Sequence, residues 1–442
     1  MCNGSIMDKL ISFALPLMLS GILQLMFNAV DLVVVGHFSG QEALAAVGST
    51  TALIAVFTNL FIGISLGANV LAARFYAAGR EKEMSETVHT SIMLALISGV
   101  AMAIVGVIFA KGALQLMDTP DDVINLSTLY MRIYFMGMPF FMLYNYGAAI
   151  LRAVGDTKRP LLFLIVSGVS NAILNMILVI VFNLGVAGVA IGTVMSQLMS
   201  CVLVLRCLCK TQSSYQLHLD RLAIKGDYVK LIFQVGIPAG IQSTVINFSN
   251  VLLQSSVNSF GATAMAGYTA ANNLLGFLYV SVNAVTQACM SFTSQNYGVG
   301  KYKRMDRVLL DCLGLTVVVA GVLGGGVYLF GPQILRIYTS EADVISCGME
   351  ILSITTIPYF LCGIMDLFPG SLRGMGYSAV PMVLSVIGTV GTRILWIYGF
   401  FPYNRTLFFL FISYPGSWLI TIVMQVICYL YVRKRCVGVQ KV

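Results

Sequence analysis

The stretch RAVGDTKRP, Arg152–Pro160, recurs as RGMGYSAVP, Arg373–Pro381, with its arginine, glycine and proline at the same spacing half a chain later. The same offset in residue number relates RFYAAGR, Arg74–Arg80, to QNYGVGK, Gln295–Lys301. Agreement at several places across half a chain predicts that the protein consists of two copies of one unit.

The composition indicates that this unit lies in a membrane. Of the 442 residues, 58% are hydrophobic and only 10% are charged, and apolar runs of about 20 residues are long enough to cross a bilayer as helices. We expect an all-α membrane protein with twelve transmembrane helices, at residues 12–36, 46–73, 88–110, 123–147, 160–182, 187–206, 233–257, 265–293, 308–330, 347–370, 380–400 and 407–432.

The basic residues predict the orientation. If the spans alternate in direction, 21 of the 26 Lys and Arg residues fall in one set of connections and three in the other. Basic connections stay on the inner side, so we expect a plasma-membrane protein with both termini in the cytoplasm. The net charge of +8 is read as this topology signal, and no nucleic-acid partner is expected.

Six is an even number of spans, so the two copies form two parallel-repeat six-helix lobes with the same orientation. We expect an N-lobe at 1–206, a cytoplasmic linker at 207–230 and a C-lobe at 231–442. In parallel repeats of this kind, a substrate site is expected between or within the lobes near the middle of the membrane. Two like halves also suit alternating access.

Asp31, in FNAVDLVVVGHFSG, is one of two acidic residues that lie well within a predicted span. A carboxylate in lipid costs about 2.5–3.5 kcal/mol on insertion scales, so it is a functional candidate by default. It can exchange a proton or bind Na⁺. The alternative is a structural role in which Asp31 caps a backbone or pairs with a polar neighbour.

Polar partners for such a carboxylate lie on the fifth and sixth spans. Asn171 and Asn175 are four residues apart and share one helix face, and Thr193 follows on the next span. Amide and hydroxyl oxygens can coordinate a hard cation or accept from a carboxyl group. Alternatively, they are hydrogen bonds that hold helices together.

Asp366 is the second acidic residue within a span, and Arg393 lies on the next predicted span. Opposite charges in a membrane usually pair, so either a static ion pair or a moving gate or substrate contact is expected. Pro16 and Pro238 interrupt two spans and can bend them, although a fixed kink is the simpler interpretation.

The sequence carries no catalytic pattern. It has no phosphate-binding G-x-x-x-x-G-K-[ST] loop, and its three histidines have no partner set. The ten cysteines are scattered and are interpreted as small apolar side chains. We therefore expect no enzyme, no cofactor and no metal site beyond Na⁺.

ALPLMLSGILQLMFNAVDLVVVGHFSGQEALAAVG resembles the first-helix signature of the multidrug and toxic compound extrusion (MATE) family. RAVGDTKRP, NAILNMILV and LGVAGVAIGTVMSQ are similar to its N-lobe helices four to six, and LRGMGYSAVP to the matching C-lobe segment. The resemblance implies a cation-coupled antiporter with twelve helices in two six-helix lobes around a central cavity. Such proteins export organic, often cationic, drugs in exchange for H⁺ or Na⁺. The resemblance also implies that Asp31, Asn171, Asn175 and Thr193 form the N-lobe cation site.

The sequence departs from that family at two places. Asn175 stands where some relatives carry an aspartate, which leaves one carboxylate in the site. The norfloxacin-exporter branch has a glutamate on the seventh helix, but GIPAGIQSTVINFSN contains no acid, and Gln242 is the nearest polar residue. Gln242 is a candidate, with Asp366 and Arg393, for a C-lobe polar or gating role.

Other functions remain open from the sequence. Small organic substrates, contact with lipid and a functional monomer are expected. The alternative within the same architecture is a flippase for lipid-linked precursors, which should show a cluster of cavity Arg or Lys for pyrophosphate, whereas Arg393 alone lies deep in a span. A membrane enzyme or receptor is a third class, without catalytic groups or an output domain to support it.

Overall fold

A computed structural model describes residues 1–117 and 119–438, and this part of the chain is helical with no strand. The last four residues of the predicted C-lobe, 439–442, lie outside the described residues. Ten of the described helices are long and apolar enough to cross a membrane, or up to eleven if one bent pair forms a single span. The predicted all-α membrane fold is confirmed.

The first half of the described chain folds into helices that cover the first six predicted spans. They are α1 (Ile6–Phe38), α2 (Gln41–Ala77), α3 (Glu81–Leu116), α4 (Ile124–Met136), α5 (Met138–Ala153), α6 (Lys158–Met176) with a π-helical continuation at Ile177–Val181, and α7 (Gly185–Lys210).

The second half covers the other six spans. Its helices are α8 (Gly226–Asn258), α9 (Ala262–Gly298), α10 (Tyr302–Leu329), α11 (Gly331–Leu335), α12 (Ala342–Thr356), α13 (Tyr359–Gly374), α14 (Ala379–Ser385), α15 (Thr392–Leu395), α16 (Leu407–Phe411) and α17 (Ser413–Gly438). π-Helical segments at Val386–Gly391 and Trp396–Phe400 flank α15.

Two predicted spans are broken. The fourth consists of α4 and α5, which meet at Gly137, and the tenth consists of α12 and α13, which are bent by 47°. A proline stands near the start of the second helix in each case, Pro139 in α5 and Pro358 just before α13. Proline lacks the N–H that would continue the preceding helix but is tolerated in a first turn.

The turns repeat with the sequence. Gly40, between α1 and α2, and Gly261, between α8 and α9, are separated by the offset of the repeated motifs and have φ values of 88° and 94°. Only glycine adopts such a φ readily. The same holds for two further pairs at this offset, Gly79 with Gly300 and Gly155 with Gly376.

The chain divides into two compact units: one comprises Met1–Met18 with Ile241–Val442, and the other comprises Leu19–Gly240. The divisions fall two positions after Pro16 in α1 and two positions after Pro238 in α8. The bending role of these prolines and the lobe boundaries at 206 and 231 stay predictions.

Each unit has its own apolar core. In the Leu19–Gly240 unit the largest fully buried side chains include Phe135, Met142 and Tyr146. In the other unit, the first turns of α1 pack with α9, where Phe13 meets Phe292 edge to face at 5.6 Å. This burial explains why the start of α1 belongs to that unit.

Within the Leu19–Gly240 unit, α2 and α8 approach at glycines. A Cβ on Gly63 would lie 2.3 Å from the Cα of Gly240, and one on Gly236 would lie 2.4 Å from the Cα of Ile64. Neither contact leaves room for a side chain, so the G-x-x-x-G pattern Gly236–Gly240 permits close helix packing.

The predicted linker is held against the start of α3 in the same unit. Lys225 forms an ion pair with Glu86, and the Tyr228 hydroxyl donates to the other Glu86 oxygen at 2.7 Å. The backbone N–H of His218 donates to Nε2 of His89 at 3.0 Å. These contacts fix where the chain begins α8.

We predict that Gly63→Ala destabilises the protein by about 1–3 kcal/mol, because the added methyl group overpacks the contact with Gly240. Gly48→Ala is the matched control, since Gly48 lies on the same helix and a Cβ there meets no atom within 4 Å. Thermal unfolding of the purified protein in detergent should show a lower midpoint for Gly63→Ala only. Equal midpoints for the two variants would refute the close α2–α8 contact.

Candidate functional site

Asp31 lies on α1, in the part of that helix that belongs to the Leu19–Gly240 unit. Its side chain is half-buried, and its nearest partner is Nδ2 of Asn175, which donates to Oδ1 of Asp31 at 2.5 Å. Within the described chain, no Lys, Arg or His lies within 4.0 Å of this carboxylate. Asp31 is thus held by neutral groups.

The predicted partners converge on Asp31 from α6 and α7. Nδ2 of Asn175 also lies 3.4 Å from Oδ1 of Asn171, and Nδ2 of Asn171 lies 3.5 Å from the Thr193 hydroxyl. Thr193 in turn interacts with the Asp31 carboxyl group. The structure therefore brings together all four residues that the sequence placed in one cluster.

Asn175 is fully buried, and its carbonyl oxygen Oδ1 has no hydrogen-bond partner. It occupies space that Gly192 of α7 leaves open, because a Cβ at Gly192 would lie 2.0 Å from this oxygen. The side chain that donates to the Asp31 carboxylate therefore carries an unpaired acceptor oxygen, and an unpaired buried carbonyl costs free energy.

This donor set suits a small hard cation. Carboxylate, amide and hydroxyl oxygens are the ligands that such cations take, and Asp31, Asn171, Asn175 and Thr193 supply them. A proton on Asp31 would equally turn the carboxyl group into a donor for an amide oxygen. Either ion would require the Asn175 amide to rotate, because that rotation brings Oδ1 of Asn175 toward Asp31.

Two tyrosines of α4 near this cluster were not predicted from the sequence. The Tyr130 and Tyr134 rings stack with centroids 6.1 Å apart, and both interact electrostatically with Asp31. The signal was available, since the two residues are four positions apart on one helix face.

In the other unit, the predicted Asp366–Arg393 ion pair is not formed. Asp366 on α13 interacts electrostatically with Arg373, one residue of the repeated arginine motif, but none of the described cations lies within 4.0 Å of it. Nη2 of Arg373 instead donates to Oε1 of Gln242 at 2.6 Å. Residues seven apart on one helix lie on the same face, which explains why Arg373 is the nearer charge.

Arg393 on α15 is buried, with neutral partners. Its Nη1 donates to Oδ1 of Asn250 at 2.9 Å, and its guanidinium carbon lies 4.1 Å from the centroid of the Tyr414 ring. The expectation of a static pair with Asp366 fails because these neutral side chains lie closer to Arg393.

A duplicated, multi-pass helical fold with a partly buried carboxylate, paired with neutral polar groups in one unit, is the architecture of a membrane transporter. The family model described as MatE matches residues 16–177 and 238–398, which is well over half of the chain. The protein belongs to the MATE family.

Relatives and solved structures agree with this placement. The chain is 29% identical over 433 residues to a Bacillus subtilis protein described as "Probable multidrug resistance protein YoeA", covering 96% of this chain and 93% of that one. It is 21% identical to the Staphylococcus aureus "Multidrug export protein MepA", over 89% and 88% of the two chains. An outward-facing MATE family transporter has the same fold, with a TM-score of 0.89 at 20% identity, over 100% of this chain and 98% of that one.

We predict that Gly192→Ala weakens cation binding by about ten- to hundredfold, because its methyl group displaces a side chain that positions the Asp31 carboxylate. Gly112→Ala is the control, since a Cβ there meets no atom within 4 Å. The measurement is the cation concentration that gives half-maximal dye export by vesicles. Unchanged cation dependence in Gly192→Ala would show that the position of Asn175 is unimportant.

Proposed function

We propose that this protein is a secondary active multidrug exporter, which exchanges organic, often cationic, compounds for H⁺ or Na⁺ by alternating access. The observation that carries the proposal is the Asp31 carboxylate, which is held by amide and hydroxyl groups and has no basic partner among the described residues. The substrate class is supported by the similar multidrug resistance and multidrug export proteins of Bacillus subtilis and Staphylococcus aureus. They favour drug export over the flipping of lipid-linked precursors.

In this mechanism Asp31 alternates between a free carboxylate and a neutralised one. The free carboxylate attracts a cationic drug while the cavity is open to the cytoplasm. When the cavity faces outward, H⁺ or Na⁺ binds Asp31 together with Asn171, Asn175 and Thr193, and the drug loses its counter-charge. The cation must favour one conformational state over the other, because a ligand with equal affinity for both shifts nothing.

The membrane potential acts on the net charge that each cycle moves. A cation that moves inward across 100 mV contributes about 2.3 kcal/mol, whereas a monovalent cationic drug that moves outward costs the same, so the potential favours the exchange of uncharged or zwitterionic compounds. With one carboxylate at the site, we propose that one cation is carried at Asp31 in each cycle. We also propose a monomer in the cytoplasmic membrane, with both termini inside.

We predict that Asp31→Asn abolishes gradient-driven export, because an amide cannot be neutralised by a cation and therefore keeps one charge state throughout the cycle. Asp122→Asn is the matched control, since Asp122 is exposed in the turn before α4. The measurement is the accumulation of ethidium by everted vesicles that contain one variant or the other. Full export activity in Asp31→Asn would discard the exchange scheme.

Purified protein in liposomes then identifies the ion. A pH gradient and a Na⁺ gradient are imposed separately, each at zero membrane potential, and ethidium movement is followed. We expect one of the two gradients to drive transport and Asp31→Asn to respond to neither. Equal transport without any gradient would show a facilitator rather than an exchanger.

A further inference from the structure

The second unit contains a buried cation that the exchange mechanism does not use. Arg393 is 3% exposed and lies on the four-residue helix α15, between the π-helical segments Val386–Gly391 and Trp396–Phe400. Short π-helical segments inside transmembrane helices occur frequently at functional sites. The position of Arg393 between two such segments is therefore typical of a functional residue.

The guanidinium group is incompletely satisfied. Of its five N–H donors, one on Nη1 is bonded to Asn250 at 2.9 Å, while Nε is buried and has no hydrogen-bond partner in the part of the chain that the structure describes. No carboxylate of the described chain lies within 4.0 Å of it. A charge buried with only a neutral amide and an aromatic ring for partners is costly, so an anion would stabilise it.

The Arg393 cluster is the repeat counterpart of the carboxylate cluster in the other unit. Tyr414 follows Thr193 at the offset that relates the repeated motifs, and Arg393 follows Asn171 at the offset that relates the two span prolines. Asn250 lies on α8, the counterpart of α1, which carries the carboxylate. Each copy thus places one charge among neutral polar groups on corresponding helices. The two charges differ in sign and lie on different helices of the copy, Asp31 on α1 and Arg393 on the counterpart of α6.

We propose that Arg393 binds the carboxylate group of an organic substrate, in a site formed with Asn250 and Tyr414. A guanidinium presents paired N–H groups that match a carboxylate in two parallel hydrogen bonds. Asn250 and Tyr414 are half-buried, so two of the three residues are partly accessible. The proposal rests on the proposed export function and assigns the residue that recognises a carboxylate on the exported compound.

The single charge limits the ligand. A pyrophosphate would call for several cations, whereas one guanidinium matches one carboxylate. The Arg373 guanidinium of the same unit is already bonded to Gln242 at 2.6 Å. Arg393 therefore selects for one carboxylate on an otherwise apolar or aromatic molecule.

Two dyes with the same ring system test the proposal. Rhodamine 110 carries a free carboxylate, and rhodamine 123 is its methyl ester. Their dissociation constants are measured by fluorescence anisotropy with the purified full-length protein in nanodiscs. We expect wild type to bind rhodamine 110 more tightly, and Arg393→Gln to reduce this preference by about ten- to hundredfold, because a charge-assisted hydrogen bond is lost.

Asn250→Asp is the second variant. This variant replaces the amide that accepts from Nη1 of Arg393 with a carboxylate, which neutralises the guanidinium without removing it. The preference for rhodamine 110 should again fall. Arg132→Gln is the control, since Arg132 lies on α4 in the other unit and donates to a backbone carbonyl at 3.1 Å. It should keep the wild-type preference.

The outcomes separate the two proposals. Equal binding of the two dyes by wild type, or a preference that survives both Arg393→Gln and Asn250→Asp, would overturn the carboxylate site. Export of rhodamine 123 that is independent of every ion gradient would instead contradict the exchange function. The ratio of the two dye affinities is measured separately and does not depend on that result.

Discussion

The hydrogen bond from Asn175 to Asp31 is the interaction on which the site depends. It holds a carboxylate in an apolar helix with a neutral donor, so the negative charge is stabilised without being cancelled. A lysine or arginine in the place of Asn175 would form a permanent pair and leave nothing for an ion to change. Gly192 supports the arrangement by leaving the space that the Asn175 side chain fills.

The duplicated architecture gives each unit a polar cluster at corresponding points of the repeat, and the two clusters differ in sign. One copy carries an acid among amides and a hydroxyl, whereas the other carries a base with an amide and an aromatic ring. Duplication supplies two corresponding sets of helices, and the charge lies on a different helix in each set. The acid suits cation exchange, and the base suits recognition of a substrate anion.

Much of this was predictable from the sequence, because burial in lipid makes each polar residue in a span conspicuous. The cost of a buried charge singled out Asp31, and helix periodicity placed Asn171 and Asn175 on one face. The grouping of these residues with Thr193 in one site followed from the resemblance to the MATE family. The partner of Arg393 was not, since pairing by opposite charge pointed to Asp366 while the structure gives Asn250. Distances between helices depend on packing that spacing along the chain does not encode. Such packing also groups Met1–Met18 with Ile241–Val442 in one compact unit.

The central claim is that a small cation and a cationic drug compete for the Asp31 carboxylate. The direct measurement is the dissociation constant of ethidium for the purified protein, determined by titration at increasing concentrations of H⁺ and of Na⁺. We expect the coupling ion to weaken ethidium binding by at least about tenfold, a coupling free energy of about 1.4 kcal/mol, and Asp31→Asn to remove this dependence. Ethidium binding that neither ion alters in the wild-type protein would contradict the account.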